Sequence, residues 1–155
     1  PSHLPALQTE VCCEDELQVI VTPRHPLARL KAVTPKQLVP YPYVSRESGS
    51  GTREFTDLYF RKAGIQPNEL NVVMELGSPE ALKGVGGTGL GYAIVSRVTV
   101  EKEGKLGELV AVPLQPRLLR SLSLVYPKER FRSRLLNTFV DFAKSRLAAA
   151  GRQAA

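Results

Sequence analysis

Residues 41–53, YPYVSRESGSGTR, decide the fold that we predict for this chain. An apolar strand leads into a Ser/Gly turn, and the turn opens a helix that continues as EFTDLYFRKAG. The N–H groups and the positive end of such a helix point beyond the carboxyl end of the strand. The turn has no lysine, no acid pair and no histidine beside a nucleophile. It is therefore suited to hold an anion or a carboxylate and not to break a bond.

Strands alternate with helices on both sides of this turn. Helix starts are marked by Thr34-Pro35, by Gly51 and by Ser78-Pro79, and an amphipathic pattern predicts a last helix at residues 133–147. This alternation predicts an α/β fold with a mostly parallel sheet. Apolar runs predict the strands at residues 17–22, 43–45, 70–76, 91–96, 108–114 and 118–126.

Two predicted strands end in the same tripeptide, Val-Ser-Arg, at residues 44–46 and 95–97. The carboxyl ends of parallel strands open into one crevice, where α/β proteins bind ligands. Ser45 and Ser96 offer hydroxyls there, and Arg46 and Arg97 offer bidentate charge to a carboxylate or phosphate. The alternative is that both arginines extend into solvent. The neighbouring turn and helix start add the candidate ligand residues Ser48, Gly49, Ser50, Gly51, Thr52, Gly77 and Ser78.

Other motifs have simpler explanations. Residues 84–89 match GxGxxG, but a helix precedes them and a strand follows, which reverses the order of a dinucleotide site. We therefore predict a helix-to-strand turn there. Residues 48–51 are not a hydrolase nucleophile elbow, because Ser48 stands where that motif needs glycine. His3 and His25 adjoin proline-rich connectors and are predicted to be surface residues; no catalytic residue, metal ligand or cofactor is predicted.

The bulk composition limits the class of protein. With 155 residues and 43% hydrophobic content, the chain suits one domain or two small lobes, and no apolar run is long enough to span a membrane. The net charge of +6 is spread along the chain, which favours a solvated basic surface over a nucleic-acid site. Adjacent Cys12 and Cys13 suit neither a disulfide nor a metal site and favour a cytoplasmic setting. The start at Pro1, without an initiator methionine or a signal-peptide pattern, predicts a piece of a longer protein.

The order of the segments resembles the effector-binding domain of LysR-type transcriptional regulators. The opening HLPALQTE is most similar to regulators of sulfur assimilation or carbon fixation. The resemblance implies an α/β, type II periplasmic-binding-protein-like fold. Its Rossmann-like second lobe covers residues 29–114, a partial first lobe covers residues 1–28 and 115–150, and a disordered tail covers residues 151–155. The matching pieces are DELQVIVTPRHPLA, TPKQL, YPYVSRESGSGTR, RKAGI, ELGSPEALK, GTGLGYAIVS and LLRSLSLVYPKE.

The resemblance also implies a function. We expect an inducer-binding domain that takes a small anionic metabolite (a carboxylate, sulfur or phosphate compound) between two lobes and has no enzymatic activity. DNA would be bound only through an absent winged helix-turn-helix domain, and the chain would self-associate as a dimer or tetramer. The alternative is the anion-binding lobe of a transport solute-binding protein. The apolar first-lobe residues expected to lack cover and to pair with another copy are Leu122, Leu124, Phe139, Val140 and Leu147.

Overall fold

The computed structural model describes residues 6–128 and 133–153, except the side chains of residues 148–153. Short 3₁₀ turns lie at Pro26–Arg29, Pro67–Glu69 and Arg97–Val100. The strands are β1 (Leu7–Val21), β2 (Tyr43–Arg46), β3 (Val72–Leu76), β4 (Ala93–Ser96) and β5 (Val110–Pro127). The α-helices are α1 (Pro35–Leu38), α2 (Gly51–Lys62), α3 (Pro79–Thr88), α4 (Glu101–Lys105) and α5 (Arg134–Gln153).

The chain divides into two compact units. Residues 16–118 form one unit, and the chain before residue 16 and after residue 118 forms the other. The larger unit begins at Glu16 because the second half of β1 pairs with β4 in its sheet. The lobe boundaries expected at residues 28/29 and 114/115 stay a prediction.

In the larger unit, one bridge joins the two-stranded sheet of β2 and β3 to the sheet that contains β4 and β1, and we treat the two as one mixed sheet. β2 and β3 are parallel, with Tyr43 opposite Val72 and Arg46 opposite Leu76. Tyr43 also forms a parallel bridge to Tyr92, the residue before β4. β1, however, runs antiparallel to β4, with Leu17 opposite Ser96. The prediction of a mostly parallel sheet is wrong at β1, because no single crossover helix joins β1 to β4 and the rule for parallel βαβ units does not apply.

Helices α2 and α3 cover opposite faces of this sheet. Side chains alternate between the two faces along each strand. Tyr43, Tyr92 and Ile94 belong to a buried cluster with Phe60 of α2. Val44, Ala93 and Val95 belong to a second cluster with Leu82 of α3. This arrangement carries the N-termini of both helices to the edge where β2, β3 and β4 end.

The glycines of residues 84–89 lie mostly inside α3, which corrects the predicted turn. α3 continues through Gly84, Gly86 and Gly87, and only Gly89, with φ of +80°, acts as the left-handed cap. A Cβ on Gly86 would lie 3.4 Å from Cδ1 of Ile20, so this glycine lets the helix pack close to the sheet. Close packing against β1 therefore outweighs the low helix propensity of the glycines.

β5 joins the two strands predicted at residues 108–114 and 118–126. It runs without interruption from Val110 to Pro127. The N–H of Gln115 donates to the carbonyl of Val33 at 2.8 Å, which keeps the backbone extended between the two predicted strands. Proline has no N–H to donate to a sheet, but the pairing of neighbouring Gln115 with Val33 keeps the strand continuous across Pro116.

His25 is half-buried, so the prediction of a surface residue is wrong for it, and His3 lies outside the described residues. Nδ1 of His25 accepts a hydrogen bond from the N–H of Leu27 at 3.2 Å, and the ring packs 4.9 Å from that of Tyr41. Burial lowers the pKa of His25. The imidazole caps the 3₁₀ turn at Pro26–Arg29, a role that its proline-rich neighbours did not indicate.

The smaller unit is held by ion pairs beside a partly exposed apolar surface. Arg120 donates to the buried carboxylate of Asp15 at 2.8 Å, and Lys144 pairs with Glu10. Leu122 and Phe139 are exposed as expected, whereas Val140 is buried and Leu124 and Leu147 are half-buried. α5 continues to Gln153, so the tail predicted from residue 151 is helical as far as that residue; residues 154–155 lie outside the described part. No helix in the described part is long and apolar enough to cross a membrane.

Candidate functional site

The carboxyl ends of β2, β3 and β4 lie on one edge of the larger unit's sheet, which we call the carboxyl edge. Arg46 pairs with Leu76 at this edge, and the N–H of Glu47 donates to the carbonyl of Leu76 at 3.1 Å. Ser96 ends β4 on the same side, since β2 is also parallel to the chain that enters β4. The three segments predicted to bind ligand, residues 45–52, 77–78 and 96–97, therefore all lie at this edge.

The turn between β2 and α2 is tight. Gly49 has φ of +85°, a left-handed conformation that favours glycine, and the N–H of Ser50 closes the turn on the carbonyl of Glu47 at 3.2 Å. Ser50 is the buried N-cap residue of α2, but its side chain makes no capping hydrogen bond. Gly51 and Thr52 are the first helical residues, so their N–H groups precede any carbonyl partner within the helix. The positive end of α2 therefore lies at the carboxyl edge.

α3 also begins at the carboxyl edge, but its cap is complete. Oγ of Ser78 accepts a hydrogen bond from the N–H of Ala81 at 3.1 Å, and Pro79 occupies the first helical position. Gly77 is exposed just before the cap. The hydroxyl oxygen of Ser78 is therefore committed to α3, while its O–H hydrogen remains a possible donor.

Ser45 and Ser96 are both buried, with 2% and 8% of their surface exposed. Burial raises the pKa of Tyr43, and hydrogen bonds with the side chains of Thr56 and Ser45 oppose that rise. Ser45 is therefore tied to the hydroxyl groups under α2. The carbonyl of Ser96 accepts a hydrogen bond from Oγ1 of Thr99 at 2.7 Å, which fixes the start of the 3₁₀ turn after β4.

The guanidinium of Arg46 does not extend into solvent. Its side chain is only 15% exposed, and Nε and Nη2 donate to the two carboxylate oxygens of Glu47, each at 2.8 Å. The Arg46 guanidinium holds the pKa of Glu47 below its ordinary value. A planar fork of this kind is the geometry in which arginine recognises carboxylates and phosphates.

Arg97 lies half-buried beside Glu16 at the start of the larger unit. The hydrogen bond from Arg117 lowers the pKa of Glu16, and the charge of Arg97 adds to that shift. Nε and Nη2 of Arg117 donate to the two Glu16 oxygens at 3.0 and 2.9 Å. Arg97 therefore shares its acid neighbour with a second arginine.

Arg53 is an organising residue of the carboxyl edge that the sequence-based site prediction omitted. Its Nη1 donates to Oε1 of Glu75 at 2.6 Å and to the carbonyl of Arg46 at 3.1 Å. Its Nε lies 3.7 Å from Oδ2 of Asp57. Arg53 thus links the start of α2 to the ends of β2 and β3. The Arg53–Asp57 spacing of four residues on a helix was the sequence signal for one of these contacts.

Residues 1–148 match the family model described as the LysR substrate binding domain. The chain belongs to this family. The Escherichia coli K12 protein described as the uncharacterized HTH-type transcriptional regulator YeiE is 40% identical over 144 residues, which is 92% of this chain and 47% of that protein. A probable RuBisCO transcriptional regulator of Phaeodactylum tricornutum is 32% identical over 139 residues, which is 89% of this chain and 45% of that protein. The chain thus spans about half the length of the curated relatives it matches.

Solved structures give the same assignment of fold. The regulatory domain of Synechocystis PCC6803 CcmR in complex with 2-PG superposes with a TM-score of 0.83 at 27% identity, over 94% of this chain and 69% of that chain. The periplasmic-binding-protein-like, type II fold that the resemblance implied is therefore confirmed. The relatives are transcriptional regulators, which favours this class over a transport solute-binding protein.

Three grooves in the described part of this LysR-family domain lie away from the predicted site residues. Three surface grooves of about 570–660 Å³ run beside α3 and α4, and none of them is lined by a predicted site residue. In the described residues, no group of three or more His, Cys, Asp or Glu side chains is arranged to hold a metal ion. The functional groups at the carboxyl edge itself are arginine guanidinium groups, serine hydroxyls and backbone N–H groups.

Proposed function

We propose that this chain is the ligand-sensing domain of a LysR-type transcription regulator and that it binds a small anionic metabolite at the carboxyl edge. The observation that carries the proposal is the convergence of residues 45–52, 77–78 and 96–97 at the ends of three parallel strands. Open α/β sheets bind ligands at such an edge, through residues of the loops and helix starts that follow the strands. The similar regulatory domain of CcmR has a solved structure in complex with 2-PG, which supports an anionic effector.

The groups at this edge suit an oxyanion. The start of α2 presents N–H groups and a positive dipole end, and each hydrogen bond that an anion accepts there contributes about 0.5–1.5 kcal/mol net. Arg46 and Arg97 supply cationic groups whose planar form matches a carboxylate or a phosphate. Ser50 and Ser78, the cap residues of α2 and α3, border the same edge.

The proposed readout is transcriptional. Effector binding would shift the equilibrium between states of an oligomeric regulator, whose DNA-binding domain lies outside this chain. The chain itself would carry out no chemical reaction. Self-association as a dimer or tetramer is part of the same proposal, because LysR-type regulators act as oligomers.

The experiment is a thermal-shift and calorimetric screen of the intact regulator that carries this sequence. The probes are 2-PG, inorganic phosphate and a panel of small carboxylates and sulfur compounds, with neutral sugars of similar size as controls. We expect one anion class to raise Tm saturably and to change the affinity for promoter DNA. Equal responses to anions and neutral sugars, or binding with no effect on DNA affinity, would contradict the proposal.

A second measurement separates sensing from DNA binding. In a gel shift, this chain alone should give no sequence-selective complex with promoter DNA, because its 21 lysines and arginines are dispersed. Tight, salt-sensitive and sequence-selective binding by these residues alone would show that the chain is itself a DNA-binding module.

A further inference from the structure

The arginine–acid pairs of the larger unit differ in how firmly the acid is held. Arg53 is fixed by Glu75, by the carbonyl of Arg46 and by Asp57. Arg117 forms an ion pair with Glu16, whose side chain is only 11% exposed. Removing the Arg53 guanidinium would take several contacts from the turn at once, and removing that of Arg117 would leave a poorly solvated carboxylate without this partner.

The Arg46–Glu47 pair is different because release of its acid frees both fork nitrogens of the guanidinium at once. Arg53 would keep the carbonyl of Arg46 and Asp57 if Glu75, which is 47% exposed, were released. The Glu47 side chain is 40% exposed, so water can solvate its carboxylate as soon as it leaves the guanidinium. The two residues are neighbours on a turn, and the turn itself is held by backbone bonds from Glu47 to Leu76 and from Ser50 to Glu47. The carboxylate can therefore swing away without loss of the backbone structure around it.

The contact with Glu47 shows that the Arg46 guanidinium can bind a carboxylate through two hydrogen bonds. Two oxygens of one planar group accept from Nε and Nη2 at equal distances of 2.8 Å. The Arg46 side chain is only 15% exposed, so its guanidinium is held in a defined direction, with its fork already aimed at an oxyanion. A free carboxylate or phosphate presents the same pair of oxygens.

We propose that Arg46 is the exchangeable anion anchor of the site and that the Glu47 carboxylate is its internal competitor, which a bound effector displaces. This inference rests on the proposed function and adds the mechanism of anion selection. The competitor sets a threshold: a ligand must offer two oxygens in one plane to replace Glu47, whereas a single hydroxyl or a neutral sugar gains too little. Effector affinity is then set partly by the strength of a half-exposed ion pair.

The test is a double-mutant cycle on the intact regulator, with affinities for 2-PG and inorganic phosphate measured by calorimetry. Glu47→Gln should tighten binding by about twofold to fivefold, the range expected for a half-exposed ion pair. Arg46→Gln should weaken binding, and in the Arg46→Gln background Glu47→Gln should have no further effect. Glu54→Gln is the matched control, because it removes the same charge from an exposed position in the first turn of α2.

Each result decides a specific point. Weaker binding by Glu47→Gln, equal tightening by Glu54→Gln, or tightening that persists without Arg46 would overturn the competitor and leave the proposed function standing. Absence of binding by every probe, in the wild type and in Glu47→Gln, would contradict the proposed function and this inference together. Circular dichroism of all variants should be unchanged, since the backbone bonds of β2 and of the turn do not depend on the Arg46–Glu47 pair.

Discussion

The rings of Tyr43 and Tyr92 stack with their centroids 4.8 Å apart and their planes within 15°. Both side chains are buried, yet only the Tyr43 hydroxyl has hydrogen-bonding neighbours, in Thr56 and Ser45. No described protein group pairs with the hydroxyl of Tyr92, and burial raises the pKa of that phenol strongly. One phenol of the pair thus supports the carboxyl edge, while the other leaves a polar atom unsatisfied in the core.

This asymmetry predicts opposite outcomes for two matched substitutions. Tyr92→Phe keeps the stacked ring and removes an unpaired hydroxyl, so the free energy of unfolding should stay the same or rise by about 1 kcal/mol. Tyr43→Phe removes a bonded hydroxyl and should lower it by about 1 kcal/mol. Urea unfolding of both variants is the measurement, and a clear loss of stability in Tyr92→Phe would contradict the assignment.

Gly91 is predicted to be the least replaceable glycine. A Cβ there would lie 2.2 Å from the carbonyl oxygen of Pro42, where the two parallel segments meet. Gly91→Ala should therefore lower stability by about 3 kcal/mol or prevent folding. Gly84→Ala is the control, because nothing lies within 4 Å of the added methyl in the interior of α3, and it should add about 0.5–1 kcal/mol. Similar effects of the two substitutions on thermal unfolding would show that the close approach is absent.

Arg53 is predicted to position the turn rather than to bind the effector. Glu75 is 47% exposed, so the ion pair alone contributes less than about 1 kcal/mol, but Arg53→Gln also removes the bond to the carbonyl of Arg46. We expect a loss of about 1 kcal/mol in unfolding free energy together with weaker anion binding. Arg61→Gln, at an exposed site in the last turn of α2, should change neither quantity. If calorimetry and urea unfolding give the same values for both variants, Arg53 has no positioning role.

His25 predicts a pH dependence of stability. Burial lowers its pKa from the ordinary value of 6.5, so the folded protein favours the neutral ring. As the pH falls below about 6.5, the unfolded chain takes up a proton more readily than the folded one, and stability is lost toward the lowered folded pKa. Above about pH 6.5, the ordinary pKa, the contribution of the neutral ring to stability is complete. Urea midpoints between pH 7.5 and 5.5 should fall more for the wild type than for His25→Asn; parallel slopes would contradict this account.

Local signals in the sequence located the elements that build the site. Thr34-Pro35, the turn before Gly51 and Ser78-Pro79 gave the starts of α1, α2 and α3, because capping and proline preferences act within a few residues. The convergence of the strands that end at Arg46 and Ser96 was also predicted, since parallel strands share an edge. The family resemblance supplied the overall fold, which these local signals could not determine.

The features that the sequence did not reveal depend on distant partners. α3 continues through Gly84 and Gly86 because it packs against Ile20, and β5 continues past its prolines because Val33 pairs with it. The Arg53–Glu75 pair joins residues that are far apart in the sequence, so no local pattern indicated it. Glu47 is adjacent to Arg46, but adjacency alone does not show that the two side chains pair. Charge pairing is a weak sequence signal, because most charged residues lie on the surface in any fold.

The most direct test of the central claim is the effector affinity of Ser50→Asp. Aspartate is a favoured N-cap residue, so α2 should keep its stability, while the new charge faces the anion at the helix start. A like charge within about 4 Å costs about 4 kcal/mol at an effective dielectric constant of about 20. Calorimetry with 2-PG on the intact regulator should therefore show at least about a tenfold loss of affinity, with Ser121→Asp, an exposed position on β5, unchanged. Wild-type affinity in Ser50→Asp would contradict anion binding at the carboxyl edge.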